Sequence, residues 1–303
     1  MSRQSKPPWL KVRMPGGERY SRIKSRARAL GLSTVCEEAR CPNIGECWSG
    51  GTATFMVMGD TCTRGCRFCA VNTSRAPLAL DPNEPENLGH AIAEMELDYV
   101  VITSVDRDDL PDGGAQHFAA CIHAVQKQSP QTMIEVLIPD LQGSALQAVI
   151  DAGPHVIAHN IECVESQTSR VRDPRAGYQK SLDVLAELKR RNPQGRTKSS
   201  LMVGVGETED EMIAAMEDLR AVGCDFLTVG QYLQPTQSHL KVSTFVPPDQ
   251  FQRYEVAGLA LGFTYVASGP LVRSSYKAGE YFIKNLLEQE RSQDTSVEQG
   301  AHP

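Results

Sequence analysis

The chain has 303 residues, 41% of them hydrophobic and 22% charged. These are ordinary values for a globular protein, at a length that buries a substantial core, and they exclude a disordered or collagen-like chain. No run of 18 or more apolar residues occurs, so no membrane-spanning helix is expected; the first thirty residues lack the apolar stretch of an export signal, so a cytoplasmic location is expected. The net charge of −6 hides an asymmetry: residues 1–30 carry nine basic side chains and one acid, Glu18, an excess of +8 against −14 over the rest. Such an arm reads as a nucleic-acid surface, a docking face for an acidic protein, or a solvated helix face.

In chain order, residues 1–52 read as irregular or helical, punctuated by Pro7-Pro8, Pro15-Gly16-Gly17 and Gly50-Gly51. An alternation then begins. Short β-rich runs are expected at Ala53–Met58, Tyr99–Thr103, Met133–Ile138, His155–Asn160, Ser200–Val205 and Phe226–Tyr232. Helical patterns lie between and after them, at Asn87–Glu96, Ala115–Lys127, Ala145–Asp151, Gln179–Arg191, Glu209–Ala221 and Asp249–Leu261. Two helices carry start signals in which a hydroxyl residue precedes Glu or Gln by three, Ser144 with Gln147 and Thr208 with Glu211. Strands alternating with helices argue for a parallel sheet. Six units fall short of the eight that close a barrel. Thr264–Ala267 is the only further strand candidate, and none is expected before residue 53. The expected fold is therefore α/β: an incomplete, six-unit TIM-like barrel with N- and C-terminal extensions. Its divisions are 1–52, 53–262 and 263–303, the last ending in a disordered tail.

Nine cysteines are present, six of them between Cys36 and Cys69. Clustered cysteines in a chain without an export signal point to metal binding or redox chemistry. Cys62, Cys66 and Cys69 follow directly on the first strand, in the string Gly59-Asp60-Thr61-Cys62-Thr63-Arg64-Gly65-Cys66-Arg67-Phe68-Cys69. Three closely spaced thiolates can hold three irons of a [4Fe–4S] cluster and leave the fourth open. Zinc sites usually pair two ligand arms, and no fourth ligand lies near in sequence. Cys36, Cys41 and Cys47 form a second triad before the barrel. Two incomplete triads argue for two clusters, with structural zinc or buried thiols as the alternative for the second. Cys121, Cys163 and Cys224 belong to neither and behave as small hydrophobes.

The first triad, placed after strand one of such a barrel, resembles the radical S-adenosylmethionine (SAM) superfamily. The resemblance implies that SAM binds the open iron through its amino and carboxylate groups. It also implies that an electron from the cluster breaks the sulfonium bond, and that the resulting 5′-deoxyadenosyl radical takes hydrogen from an unactivated carbon. Phe68 fits the aromatic that lies near the adenine in that superfamily.

Longer strings narrow the resemblance to the lipoyl synthase family: Val35-Cys36-Glu37-Glu38-Ala39, Cys41-Pro42-Asn43-Ile44, Thr103 through Leu110, and Arg273-Ser274-Ser275-Tyr276. The match runs from about Trp9 to Tyr276. It implies that Cys36, Cys41 and Cys47 hold an auxiliary [4Fe–4S] cluster whose fourth ligand is a serine oxygen, assigned to Ser275. A hard oxygen suits a soft cluster poorly, so an iron held by Ser275 would leave first and the cluster could give up sulfide. Without the resemblance, Ser274 and Ser275 read as a helix N-cap. Lys277 departs from the family, which has His or Asn there more often.

Sites in such barrels are built on the carboxyl ends of the strands. By resemblance Thr103, Ser104 and Asp106 face the SAM methionine, and Asn160 with Glu162 lies near its ribose or polar head. Arg172 could reach the SAM carboxylate or an acid of a carrier protein. Gly204 and Gly206 mark a close backbone approach after the fifth strand. The charged strings at 106–109 and 170–173 otherwise read as exposed loop salt bridges. The family implies insertion of two sulfur atoms, at C6 and C8, into an octanoyl group on a lysine of a lipoyl-carrier protein. Implied partners are the octanoylated carrier, a ferredoxin- or flavodoxin-like electron donor and an iron–sulfur carrier, with neither nucleic acid nor membrane. The alternatives are a radical SAM enzyme whose second cluster only carries electrons or binds substrate, and an electron-transfer module without catalysis.

Overall fold

The structure is a computed structural model and describes residues 6–11, 16–30, 32–38, 41 and 43–275. Tyr276, Lys277 and the expected disordered tail lie outside the described residues. The first helix, α1 (Glu18–Ala29), is followed by the two-residue strand β1 (Ser33–Thr34) and the short helices α2 (Val35–Glu38) and α3 (Ile44–Ser49). The alternation comes next: β2 (Thr52–Val57), a small loop sheet of β3 (Thr61–Cys62) and β4 (Asn72–Thr73), α4 (Glu84–Glu94), β5 (Tyr99–Ser104), α5 (Ala115–Gln128), β6 (Met133–Leu137), α6 (Gly143–Asp151) and β7 (Val156–Ala158). Then follow α7 (Thr168–Val171), α8 (Tyr178–Arg191), β8 (Arg196–Val203), α9 (Glu209–Ala221), β9 (Phe226–Gln231), α10 (Pro248–Ala260) and β10 (Tyr265–Gly269).

The main sheet runs β1-β2-β5-β6-β7-β8-β9-β10. All neighbours are parallel except β1, which pairs antiparallel with β2 through Ser33↔Met56 and Thr34↔Phe55. Six βα units and an unclosed sheet answer the expectation of an incomplete barrel. Both extensions contribute strands, however. β10 is the Thr264–Ala267 candidate and adds a seventh parallel strand against β9, while β1 corrects the expectation of no strand before residue 53.

Side chains alternate across each strand. One face of the sheet carries Phe55, Ile102, Val136, Leu201 and Val229, which bury against the helices in the main core; each such side chain contributes about 1.5–3 kcal/mol. The other face lines the barrel interior. At its amino end Tyr99, Val101, Met133, Val156 and Phe226 form a separate cluster. Above it sits a buried ion pair, Lys198 Nζ at 2.8 Å from both oxygens of Glu135, with the Tyr99 hydroxyl donating to the same carboxylate. This pair explains why β8 begins at Arg196 and not at the expected Ser200: the strand opens on polar residues whose partners are inside the barrel.

Thr208 and Glu211 form a reciprocal capping box at the start of α9, as expected. Ser144 does not cap α6. That helix begins at Gly143, whose N–H donates to Glu187 instead. In α1, Ile23 and Ala27 turn into the core, and Tyr20 packs over the buried Trp48 of α3 with ring centroids 5.2 Å apart. The opposite side of α1 is basic, and part of that charge is met by the chain's own acids: Arg22 with Glu96, Arg26 with Glu94, and Lys24 and Arg28 with Glu37.

Candidate functional site

The loop that carries Cys62, Cys66 and Cys69 leaves the carboxyl end of β2. Met58 and Gly59 both adopt positive φ, 68° and 87°, and turn the chain over the barrel mouth. The return is closed by β3 pairing with β4 and by Ser74 N–H donating to the Cys62 carbonyl. The three thiols are half-buried. Burial, with the neighbouring charges of Asp106 and Cys69, pushes Cys62 up to about 11, and burial with Cys69 and Glu162 pushes Cys66 up to about 12. Three backbone N–H groups point the other way. Those of Arg64 and Asp106 donate to Cys62 Sγ at 3.4 and 3.3 Å, and that of Asp173 to Cys66 Sγ at 3.3 Å. Sulfurs that repel one another when ionised, yet are met by amide donors, are suited to a cationic iron core. The three thiols fit a cluster bound by three cysteines.

Charged groups brace this loop from below. Arg64 is 7% exposed and lies among Asp106 at 3.3 Å, Asp108 at 2.8 Å and Asp140. Burial alone would neutralise Asp140, but hydrogen bonds from His159 and Arg64 hold its carboxyl far below the usual range. Burial dominates at Asp106 and pushes its carboxyl up. Asp173 accepts from Gly65 N–H at 2.8 Å and from Arg175, whose guanidinium also reaches the Thr63 carbonyl. From the far side, His239 Nε2 lies 2.8 Å from the Cys69 carbonyl oxygen, and Leu240 N–H donates to the Arg67 carbonyl.

The expectation of exposed loop salt bridges at 106–109 is therefore corrected. Arg107 is buried, bidentate to Asp109, and donates to the Met58 carbonyl. Asp173 was read from the sequence only as part of the charged string at 170–173, and Arg64, Asp140, His159, Arg175 and His239 were not singled out. Only Arg64 carried a signal, as a cation inside the cysteine loop.

Around the same mouth lie the strand-end residues. Thr103 hydroxyl donates to the Leu137 carbonyl. Asn160 Oδ1, on the interior face, is buried without a hydrogen-bond partner among the described residues, an acceptor that a polar ligand can satisfy, whereas Ser104 Oγ, equally unpartnered, lies on the helix-facing side with Ile102. Asn160 Nδ2 donates to Glu162 at 3.0 Å. Glu162 sits at φ 66°, stitched into place by its N–H to Ser200 and its carbonyl to Met202, and burial pushes its carboxyl up. Arg172 is buried and donates to the Ile161 and Gly177 carbonyls and to Ser181, facing Glu162 with opposite charge. Its guanidinium supports the mouth from behind. Phe68 packs beside Cys163, Val171, Val205 and Tyr232. The N–H groups of Gly204, Val205 and Gly206 all donate to the Glu207 carboxylate. The backbone approach expected there is thus taken up by a side chain of the loop itself.

The second triad lies at the edge of the sheet. Cys36 in α2 and Cys47 in α3 are buried and belong to the main core, and Cys41 lies between them. Cys41 N–H donates to the Cys36 carbonyl and Cys47 N–H to that of Asn43, folding the segment back on itself. Asn43 then reaches across the molecule: its Nδ2 donates to the Leu271 carbonyl at 2.6 Å. The chain just after β10 can come this close because residue 230 is glycine; a Cβ there would collide with the Val272 carbonyl. Burial lowers the Arg273 pKa, opposed by the sulfur of Cys41, which sets that guanidinium near the triad. Leu271 and Arg273 are thereby brought to the cysteine segment, Leu271 from 228 residues away in sequence. Ser275 itself is half-buried.

Residues 56–219 match the radical SAM superfamily, and residues 1–41 match the N-terminal domain of lipoyl synthase of that family. A lipoyl synthase of Myxococcus xanthus is 58% identical over 289 residues, covering 94% of this chain and 96% of that protein. A mitochondrial lipoyl synthase of Aedes aegypti is 55% identical over 311 residues, covering 97% and 79%. Among solved structures, the FeFe-hydrogenase maturase from Carboxydothermus hydrogenoformans superposes with a TM-score of 0.57 at 15% identity, over 71% of this chain and 52% of that one. That likeness is one of fold alone.

Proposed function

The chain belongs to the lipoyl synthase family of the radical SAM superfamily and is a sulfur-inserting enzyme, and from that premise we propose how its residues divide the work. The substrate is an octanoyl group on a lysine of a lipoyl-carrier protein, which receives sulfur at C6 and C8. Cys62, Cys66 and Cys69 hold one [4Fe–4S] cluster; Cys36, Cys41, Cys47 and Ser275 hold another. When bound, the first cluster with SAM supplies the one-electron chemistry that breaks an unactivated C–H bond, and the second supplies sulfide.

The chain's own part is orientation and shielding. Arg64 and Asp173 fix the first cysteine loop from beneath, and His239 from above. The unpaired Asn160 Oδ1 offers a hydrogen bond to the SAM head group, with Thr103, Glu162 and Arg172 as its surroundings and Phe68 toward the adenine; Ser104, on the helix-facing side, supports that strand end from behind. The observation that carries the reading is the Asn43–Leu271 hydrogen bond. It closes the two ends of the chain on each other, so that a serine can complete a triad of cysteines.

The octanoylated carrier, a ferredoxin- or flavodoxin-like donor and an iron–sulfur carrier are the partners of this proposal. The basic side of α1 is the surface for an acidic carrier, with less free charge than its composition suggests because four of its cations face the chain's own acids. No described helix is long and apolar enough to cross a membrane, and a cytoplasmic site of action is part of the same proposal.

The test is anaerobic reconstitution with iron and sulfide counting. Two cubes require about eight irons in the wild type and about four after either triad is changed to alanine. The variant lacking Cys62, Cys66 and Cys69 loses SAM cleavage. The variant lacking Cys36, Cys41 and Cys47 keeps it and loses sulfur insertion. Ser275→Cys keeps its iron and slows sulfur transfer. Product formed with no loss of protein sulfide would assign the second cluster to electron transfer or substrate binding and overturn its role as sulfur source.

A further inference from the structure

Away from both triads, the described residues contain one more group of side chains with ligating chemistry. Glu84 opens α4, and His117 and Cys121 lie four apart on α5, on one face of that helix. Their donor atoms all fall within 4.8 Å of one another, with His117 Nε2 at 2.6 Å from Glu84 Oε2. Cys121 is fully buried, and the His117 and Glu84 side chains are 11% and 13% exposed.

We propose that Glu84, His117 and Cys121 bind a single zinc ion, with water as the fourth ligand. Three arguments support this. The first is donor chemistry: one sulfur, one imidazole nitrogen and one carboxylate oxygen suit a borderline ion such as zinc, whereas magnesium and calcium call for oxygen alone. The second is charge: a carboxylate and a thiolate neutralise a divalent ion, so the buried site carries no net charge. The third is access: a cavity of about 200 Å³ opens beside α4, and Glu84 lines it together with the acids Asp60 and Asp81, giving a cation a negative approach from solvent.

The site also has a mechanical consequence. Glu84 Oε2 accepts the Met58 N–H at 2.8 Å, and Met58 is the left-handed residue that turns the chain into the first cysteine loop. A metal that fixes Glu84 would fix that bend, four residues before Cys62. The zinc site itself does not depend on the proposed division of the triads.

The experiment is zinc analysis of the cluster-loaded wild type, supplied with excess zinc and desalted, against Cys121→Ala and His117→Gln. About one zinc per chain is expected in the wild type and less than a tenth of that in each variant, with iron unchanged. Zinc-edge absorption spectra of the wild type give a reading that does not depend on the variants folding. A shell of one sulfur with nitrogen and oxygen is expected. A shell of three or four sulfurs would place the metal in a cysteine triad and overturn the site, as would equal zinc in wild type and variants or substoichiometric zinc in the wild type.

Discussion

The two cysteine triads are anchored in different ways. Cys62, Cys66 and Cys69 share one loop, held by backbone hydrogen bonds from Arg64, Asp106 and Asp173, by a buried guanidinium among three carboxylates, and by His239. Cys36 and Cys47 sit in apolar packing on two short helices, and their segment is fastened to the end of the barrel through Asn43 and Leu271. The first site is organised by local polar contacts around a single loop. The segment of the second is tied to a residue 228 positions away in sequence. This difference in construction matches the roles proposed above: a cluster that cycles electrons benefits from a fixed polar cage, whereas one that gives up sulfide and is rebuilt benefits from an anchor at the margin of the fold.

Removing the cage should have the largest effect. Arg64→Leu leaves Asp106, Asp108 and Asp140 without their shared cation. Breaking a fully buried pair costs about 3–5 kcal/mol; the loss here falls below that, because Lys180 and His159 still face Asp140 and Arg175 still faces Asp108, and it is read as a lower urea midpoint of the cluster-loaded protein. SAM cleavage should fall with it, while the second triad keeps its iron. A midpoint unchanged within error would show that the charges are solvated and that the loop is not held by them.

Cutting the tie at the second site should have an intermediate effect. Asn43→Ala orphans the Leu271 carbonyl, at about 1–3 kcal/mol. Iron at the second triad should be lost faster to a chelator and sulfur insertion should drop, while SAM cleavage holds. Equal losses at both triads would mean that the two sites are coupled and that the contrast between them is wrong.

How much of this was legible in the sequence follows the same division. Period-two and period-3.6 patterns placed the six βα units because their apolar faces pack on one another, and both cysteine triads stood out by spacing alone. The cage did not. Asp140 and His159 lie after β6 and β7, seventy or more residues from Arg64, and no local pattern announces that a cation and three acids will meet in a barrel mouth. β8 was started late because Lys198 and Glu135 form a buried pair, and polar residues on a strand conceal it when each partner is seen alone. β1 was missed because two residues carry no periodicity; it exists through its pairing with β2.

The smallest effect probes how firmly the margin that carries the second triad is held. α1 covers α3 through Tyr20 and Trp48 and is linked to the end of α4 by the exposed pairs Arg22–Glu96 and Arg26–Glu94. Pairs this open to solvent contribute about 0–1 kcal/mol each. Arg22→Ala with Arg26→Ala should therefore lower stability by less than about 2 kcal/mol, with the deficit shrinking as salt is added because screening already weakens the wild-type pairs. If the anchorage of α1 is instead apolar, through Ile23, Ala27 and Trp48, the double variant keeps the iron of the second triad. A salt-independent loss of that iron would show that the basic face holds the margin in place, and would move part of the charge assigned to carrier docking into the fold.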